Sequence, residues 1–260
     1  IIPAKKQKTV AVIGGGVGGM ETARIATLRG HKVTIYEKTD ILGGVFIAAA
    51  APSFKEKDKM LLQWYRRQIK NLGIDVKFNT EIKDLSQIDA DEIVIATGST
   101  PKSLPIKGIE NSIEVIEYLN GKEVGQNVVI IGGGLSGCEI AYDLFLKGKH
   151  PIIIEAKNDL MVSNTLCLAN SSYLRDYFDY KNIPVYLESK VIEINDDSVI
   201  IQDKEGNRFV IEADNVITAI GYNPAPLAKA SKHIHIVGDA LSVGNLRTVV
   251  WRAWEVAEKI

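Results

Sequence analysis

A glycine-rich turn occurs twice in the chain, each time between a predicted strand and a predicted helix, and this repeat constrains the fold most. Both copies follow an apolar segment and have the spacing Gly-x-Gly-x-x-Gly; the six glycines are Gly14, Gly16 and Gly19, then Gly132, Gly134 and Gly137. A second apolar strand follows each helix, and an acid (Glu37 or Glu155) ends it, 23 residues after the first glycine. The sequence therefore predicts two βαβ repeats of one kind.

This pattern is typical of a dinucleotide site. The first glycine makes a tight turn, the second lets a pyrophosphate approach backbone N–H groups, and the third lets the helix pack close to the strand. The helix N-terminus adds unpaired N–H donors and the positive end of its dipole. Two turns used only for packing, with no phosphate bound, are the less favoured alternative.

The two acids are placed to accept hydrogen bonds from the hydroxyl groups of an adenosine ribose. At Glu155 the negative charge also repels a 2′-phosphate, which favours NADH over NADPH. The residues Ala156 and Lys157 lack the arginine pair that would bind that phosphate, although Lys157 offers one positive charge.

Another repeated pattern shows how the chain is organised. A short apolar strand leads into Ala96–Gly98, and a similar strand leads into Ala219–Gly221 after a predicted β-meander. A last strand ends at Gly238 and Asp239, before a helix from about Leu246. Connectors rich in Pro and Gly flank the second repeat. We predict an α/β fold of two nested Rossmann-like domains: a discontinuous one of residues 1–110 and 225–260, and an inserted one of residues 122–224.

Composition excludes several functions. The 31 basic and 32 acidic residues leave a net charge of −1, so neither nucleic acid nor a membrane surface is an expected partner. The longest apolar run, Val45 to Ala51, is far shorter than the ~18 residues of a membrane span. Two distant cysteines, Cys138 and Cys167, form no C-x-x-C pair and no metal-ligand set. With no signal peptide, we expect a cytoplasmic protein.

The motifs together resemble the two-dinucleotide-binding-domain flavoproteins, known as the pyridine nucleotide–disulfide reductase fold. Several stretches are similar to one branch, the C-terminal half of the group of 2-enoate reductase, 2,4-dienoyl-CoA reductase and trimethylamine dehydrogenase. These stretches are Tyr36–Val45, Ala48–Pro52, Tyr65–Gln68, Phe78–Ile82 and Gly133–Glu139.

The resemblance implies that residues 1–110 and 225–260 bind FAD and that residues 122–224 bind NAD(P)H. The implied FAD-site residues are Gly14, Gly16, Gly19, Glu37, Lys38, Gly43, Gly44, Ile82, Ala96, Thr97, Gly98, Gly238 and Asp239. The implied NADH-site residues are Gly132, Gly134, Ser136, Gly137, Glu155, Ala219 and Gly221. The helix after Leu246 is expected to point its N-terminus at the flavin pyrimidine, where negative charge accumulates on reduction. One family member holds ADP instead of FAD in the first site, and ADP stays an alternative here.

Members of this group also have, before the corresponding region, an Old Yellow Enzyme-like barrel with FMN and a cysteine-bound [4Fe–4S] cluster. Because Ile1–Lys8 resembles an inter-domain linker, we expect the chain to be part of a larger enzyme, with that barrel as its partner. NADH would then reduce FAD, and electrons would pass to the cluster, to FMN and to the C=C bond of an enoate or enoyl-CoA. The sequence does not define an oligomeric state.

Hydride transfer between a nicotinamide and a flavin depends on orientation more than on a protein acid or base, so no catalytic residue and no metal ligand are assigned. The four histidines, Cys138 and the pair Trp251 and Trp254 are interpreted mainly as packing or surface residues. Two other functions stay open: a stand-alone NAD(P)H:acceptor oxidoreductase, and an ADP-binding structural domain.

Overall fold

The computed structural model describes residues 1–162 and 167–260 and divides the chain into two compact units. The first unit consists of Ile1–Thr100 and Tyr222–Ile260, and the second consists of Pro101–Gly221. The second unit is thus an insertion in the first along the sequence. That each unit binds a nucleotide of its own remains a prediction.

The first unit contains a five-stranded parallel sheet. Its strands are β1 (Thr9–Ile13), β2 (Lys32–Tyr36), β3 (Asp75–Lys77), β4 (Glu92–Ile95) and β15 (Ile234–Ile236). Its helices are α1 (Val17–Leu28), α2 (Phe46–Ala49), α3 (Glu56–Asn71) and α7 (Leu246–Lys259). The strand order is β15-β4-β1-β2-β3, so β1 is central.

The second unit contains a parallel sheet with the corresponding order, β6-β13-β7-β8-β9. Its strands are β6 (Ile113–Glu114), β7 (Asn127–Ile131), β8 (His150–Ile154), β9 (Val185–Tyr186) and β13 (Asn215–Thr218). Its helices are α4 (Val115–Leu119), α5 (Leu135–Leu146) and α6 (Leu168–Lys181). An antiparallel meander of β10 (Lys190–Ile194), β11 (Ser198–Gln202) and β12 (Arg208–Glu212) precedes β13. Finally, β5 (Ser99–Pro101) pairs with β14 (Tyr222–Pro224).

Each unit has its own apolar core, formed around its central strand. In the first unit, Val12 and Ile35 of the sheet pack with Met20 of α1 and Ala257 of α7. These side chains are fully or almost fully buried. In the second unit, β-branched residues of β7 and β13 pack with those of the meander. Strands with two covered faces read as continuous apolar runs, as both central strands do.

The return segment of the first unit ends in an amphipathic helix with a defined start. The Asn245 side chain accepts a hydrogen bond from the Thr248 amide, while the Thr248 hydroxyl accepts one from the Asn245 amide, at 3.0 Å each. This reciprocal capping fixes the first turn of α7. Within residues 1–162 and 167–260, no helix is long and apolar enough to cross a bilayer.

Candidate dinucleotide-binding sites

The predicted site residues of the first unit lie along one edge of its sheet. β1, β2 and β4 end immediately before Gly14, Glu37 and Ala96, and β15 ends two residues before Gly238. Because these strands are parallel, their carboxyl ends meet at the same edge, which is where ligands bind in open α/β sheets. The structure therefore brings the predicted FAD residues to a common edge.

The glycines of the first turn have the three expected environments. Gly14 has φ of +105°, and a Cβ there would collide with the carbonyl oxygen of Ala96. A Cβ on Gly19 would collide with the carbonyl oxygen of Gly14, so only glycine lets α1 start this close to β1. A Cβ on Gly16, in contrast, would meet no described heavy atom within 4 Å. The turn therefore leaves open space beside its second motif glycine, where a pyrophosphate needs it.

The start of α1 can bind an anion. Gly16 is the N-cap, no described side chain caps the helix, and the first turn contains no acid. The N–H groups of a first helical turn have no intrahelical partner, and the helix dipole adds positive potential there. A phosphate fits this donor set.

Glu37 follows β2 and is bonded on both carboxylate oxygens. Its Oε2 accepts from the Gly15 amide at 2.7 Å, and its Oε1 accepts from the amide and the hydroxyl of Thr39, each at 2.8 Å. The residue is 5% exposed. Glu37 was predicted as a ribose ligand, and the structure shows that it also holds the glycine turn. Since Oε2 has one donor and Oε1 has two, Oε2 has the greater acceptor capacity left for a ribose hydroxyl.

The Gly43–Gly44 segment lies beside the glycine turn. The Gly43 amide donates to the Gly15 carbonyl at 2.8 Å, and a Cβ on Gly44 would be 3.2 Å from Cα of Gly16. Both glycines have positive φ. The structure therefore places these two predicted residues directly against the turn.

The other predicted residues of this unit occupy neighbouring positions on the same edge. The Thr97 hydroxyl donates to the Ala225 carbonyl at 2.7 Å, and the Gly98 carbonyl accepts from the Ala225 amide. Lys38 is exposed next to Glu37, and Ile82 is buried in the segment after β3. The segments that follow β2, β3 and β4 therefore each contain predicted site residues.

Asp239 lies in a short 3₁₀ turn that leads towards α7. Its Oδ1 accepts from the Gly244 amide at 3.0 Å, and burial raises the pKa of this carboxyl. Nearby, a Cβ on Gly18 would be 3.6 Å from Cα of Gly238. The start of α1 and the Gly238–Asp239 turn are therefore adjacent, as a shared cofactor site requires.

The second unit repeats this arrangement. Gly132 has φ of +109°, a Cβ on Gly137 would collide with the Gly132 carbonyl, and Gly134 has open space. The α5 helix begins without a described side-chain cap and without an acid in its first turn. Ser136 is exposed on that first turn. A phosphate would meet the same donors here as at α1.

Glu155 has the same role in the second unit as Glu37 has in the first. Its Oε2 accepts from the Gly133 amide at 2.6 Å, and its Oε1 accepts from the Lys157 amide at 2.8 Å. Ala219 and Gly221 lie after β13, at the same edge of the sheet. Glu155 is more exposed than Glu37 and accepts two protein hydrogen bonds instead of three. More of its acceptor capacity is therefore open to a ligand.

Two arginines that contact the turns were not among the predicted site residues, although Arg66 lies in the family-like stretch Tyr65–Gln68. Arg66 of α3 donates to the Leu42 carbonyl in the first unit, and Arg175 of α6 donates to the Leu160 carbonyl in the second. The distance along the chain from each arginine to its carbonyl differs between the units, so no repeated spacing marked them. Thr39 was also missed, because nothing in the sequence distinguishes it from an ordinary loop residue.

Cys138 lies beside the second glycine turn, where its thiol donates to the Gly133 carbonyl at 3.4 Å, whereas His233 and His235 lie at the other edge of the first sheet. Cys138 is fully buried, and burial raises the pKa of its thiol to about 12, so it is a packed residue. His233 and His235 contact the buried carboxylate of Glu92 at 3.3 and 2.9 Å, at the amino-terminal edge of the sheet. In the described part of the chain, no group of three or more His, Cys, Asp or Glu residues could hold a metal ion.

The two tryptophans of α7 differ in burial. Trp254 is partly buried and packs against the first core, with the Arg24 guanidinium 6.0 Å from its ring centre. Trp251 is 61% exposed and has the Arg247 guanidinium 5.4 Å from its ring centre. Packing thus describes Trp254 but not Trp251.

Comparison with known proteins identifies related sequences and structures over the whole chain. A family model described as pyridine nucleotide-disulphide oxidoreductase matches residues 1–87 and 83–238. A cinnamate reductase of Clostridium sporogenes is 38% identical over 266 residues, and the match covers 99% of this chain and 40% of the relative. An NADH oxidase of Thermoanaerobacter brockii is 31% identical over 272 residues, with coverage of 99% and 42%.

A solved structure is also similar to this chain over its whole length. The structure described as a complex of 2-naphthoyl-CoA reductase with 2-naphthoyl-CoA is similar to this chain with a TM-score of 0.91 and 33% identity. The match covers 100% of this chain and 41% of that one. This chain thus spans about two fifths of the length of the relatives that it matches.

Proposed function

The chain belongs to the pyridine nucleotide-disulphide oxidoreductase family, and from this membership we propose that it is the NADH-oxidising part of an enoate-type reductase. It is an oxidoreductase, and its family implies binding of FAD and NAD(P)H. The predicted fold class is confirmed, and so is the resemblance to the FAD/NAD(P)-binding half of enoate reductase-type enzymes.

In this proposal the first unit binds FAD and the second binds NADH. The repeated glycine turn supports it best, because both copies leave open space at the second motif glycine before an uncapped helix. Gly16 and Gly44 would border the FAD diphosphate, with Glu37 at its ribose. Gly134 and Ser136 would border the NADH diphosphate. The residues present therefore fit both groups.

NADH, when bound, supplies a hydride and FAD accepts it. The protein groups bind and orient the two nucleotides, and none of them has to exchange a proton in that transfer. The start of α1 and the Gly238–Asp239 turn would hold the flavin nucleotide from two sides. Glu155 would accept hydrogen bonds from the ribose of NADH and repel the 2′-phosphate of NADPH.

The proposed acceptor lies in another part of a longer protein. A barrel with FMN and a [4Fe–4S] cluster would receive electrons from FAD and reduce the C=C bond of an enoate or enoyl-CoA. Support comes from the names of the relatives, a cinnamate reductase and a 2-naphthoyl-CoA reductase, and from their greater length. The relative named NADH oxidase supports a second candidate, in which FAD passes electrons directly to a small acceptor.

An anaerobic titration tests the first step of the proposal. The purified chain is loaded with FAD, and its visible spectrum is recorded while NADH is added. We expect the flavin absorbance to bleach with NADH and more slowly with NADPH. A chain that binds no flavin and retains only ADP would contradict the proposal and favour an ADP-binding structural domain.

The coding sequence around this chain separates the two enzymatic candidates. The enoate-type proposal requires an adjoining barrel with a cluster-binding set of cysteines, and the full-length protein should reduce cinnamate or an enoyl-CoA with NADH. If the full-length protein instead reduces oxygen or an artificial acceptor and leaves C=C bonds intact, the stand-alone oxidoreductase is the correct assignment.

A further inference from the structure

We propose that Arg66 and Arg175 are positioning residues, one for each glycine turn, and that each controls the affinity of one nucleotide. The assignment of FAD to the first unit and NADH to the second rests on the proposed function. The contacts themselves are properties of the structure.

In the first unit, Arg66 fixes a single peptide group. Its Nε and Nη2 donate to the Leu42 carbonyl oxygen at 2.9 and 2.6 Å. The N–H of the same peptide group belongs to Gly43 and donates to the Gly15 carbonyl at 2.8 Å. Arg66 therefore orients the peptide that holds the glycine turn from one side.

The second unit has the same contact. Arg175 Nη2 donates to the Leu160 carbonyl, and the Met161 amide of that peptide group donates to the Gly133 carbonyl at 2.7 Å. A bidentate ion pair with Asp159, at 3.1 and 3.0 Å, holds the Arg175 guanidinium in place. Leu160 and Met161 are both buried. Two different helices thus supply an arginine to equivalent peptides.

The arginine contact affects Gly15 in the first turn and Gly133 in the second. Gly15 and Gly133 each have the N–H bonded to a carboxylate, of Glu37 or Glu155, and the C=O bonded to the peptide that the arginine holds. A cation on the peptide carbonyl polarises the group and strengthens the hydrogen bond from its N–H. Loss of the arginine would therefore loosen the turn from one side while the acid still held the other.

A nucleotide binds best to a turn that is already ordered, because it then has less conformational freedom to remove. Each arginine should consequently affect the nucleotide of its own unit. A merely structural role would lower the stability of the protein without this division between two ligands.

Methionine variants test the proposal, because methionine keeps the apolar length of the side chain and removes its N–H donors. For Arg66→Met we expect about tenfold weaker FAD binding in a fluorescence titration. At saturating FAD, the NADH concentration for half-maximal flavin reduction should stay within about twofold of wild type. For Arg175→Met we expect that NADH concentration to rise about tenfold, with unchanged FAD affinity and an unchanged limiting rate.

Matched controls are available on the same scaffold. Arg67 is exposed on α3 next to Arg66, and Arg208 is exposed on β12. Arg67→Met and Arg208→Met should leave both nucleotide affinities within about twofold of wild type. The variants Arg66→Lys and Arg175→Lys, which keep a cationic donor, should recover most of the lost affinity.

Amide hydrogen exchange of the nucleotide-free protein tests the contact without any assumption about ligands. Arg66→Met should accelerate exchange at the Gly43 amide and leave Met161 unchanged, and Arg175→Met should do the reverse. The inference would be overturned if a variant changed exchange equally at both amides or changed both nucleotide affinities equally. It would also be overturned if neither exchange nor affinity changed. Selective exchange in a protein that binds no FAD would instead contradict the proposed function alone.

Discussion

Substitution of Gly16 by alanine should weaken FAD binding and leave the stability of the fold almost unchanged. Gly16 has φ of −69° and ψ of −177°, an extended conformation that alanine adopts freely. Its Cβ would meet no described heavy atom within 4 Å. Alanine at an N-cap costs about 0.5–1 kcal/mol relative to glycine, and the lower entropy of the unfolded chain offsets about 0.4–1 kcal/mol. The free energy of unfolding should therefore stay within about 0.5 kcal/mol of wild type.

The effect on FAD should be much larger. The new methyl group would occupy the open space before α1, so a diphosphate could no longer approach the N–H groups of the first turn. One charge-assisted hydrogen bond contributes about 1.5–3 kcal/mol. The loss of one such bond corresponds to about 10- to 150-fold weaker binding of FAD.

Two measurements on the same preparations check this prediction: urea unfolding of the nucleotide-free protein, and a fluorescence titration with FAD. Gly14→Ala is the contrasting variant, because its φ of +105° and the contact with Ala96 make it unfavourable for the fold itself. It should lose more than 1 kcal/mol of stability. If Gly16→Ala binds FAD as tightly as wild type, the open space is not the cofactor site and the argument is refuted.

Three further predictions use other parts of the chain. Glu155→Gln should raise the ratio of kcat/KM for NADPH to that for NADH about tenfold, since it removes a charge that repels the 2′-phosphate; an unchanged ratio in steady-state assays would contradict this role. Glu92→Gln should cost about 2 kcal/mol at pH 7. Burial raises the pKa of Glu92, but the hydrogen bonds from Lys8, His235 and His233 outweigh it and lower that pKa from 4.5 to about 2. The difference should therefore shrink as the pH falls through that range, which urea unfolding at pH 7 and pH 3 measures. A thiol reagent at pH 7.5 should label only Cys167 in the native protein and both cysteines in urea, as mass spectrometry would show, because Cys138 is buried with a pKa of about 12.

The fold was largely predictable, because its strongest determinants are local in sequence. The glycine spacing, the strand before each turn and the acid 23 residues later define each βαβ repeat, and both sheets have the corresponding strand order around β1 and β7. The meander and α7 were also visible in the apolar pattern. The candidate site follows from the same logic, since residues after parallel strands must share an edge.

The supporting contacts were not predictable, because they join positions without a fixed separation. Arg66 is 24 residues after Leu42, whereas Arg175 is 15 residues after Leu160. Glu92 contacts His233 and His235 at separations of 141 and 143 residues, which span the whole inserted unit. These two histidines were therefore interpreted as packing or surface residues, although they contact a buried carboxylate. Only the folded sheet brings such partners together.

The two units have the same arrangement of strands around their glycine turns but differ in the residues that border those turns. In the first unit, the ends of β1, β2 and β4 and the segment after β3 supply predicted site residues, and the return segment adds Gly238 and Asp239 after β15 and the start of α7. In the second unit three strands supply them, since β6 contains only two residues and leads directly into α4. Glu37 is buried with three protein donors, whereas Glu155 is partly exposed with two. The more buried acid of the first unit suits a cofactor that stays bound through turnover, and the more exposed acid of the second suits a nucleotide that leaves after each hydride transfer. This asymmetry supports the proposal that FAD binds to the first unit and NADH to the second.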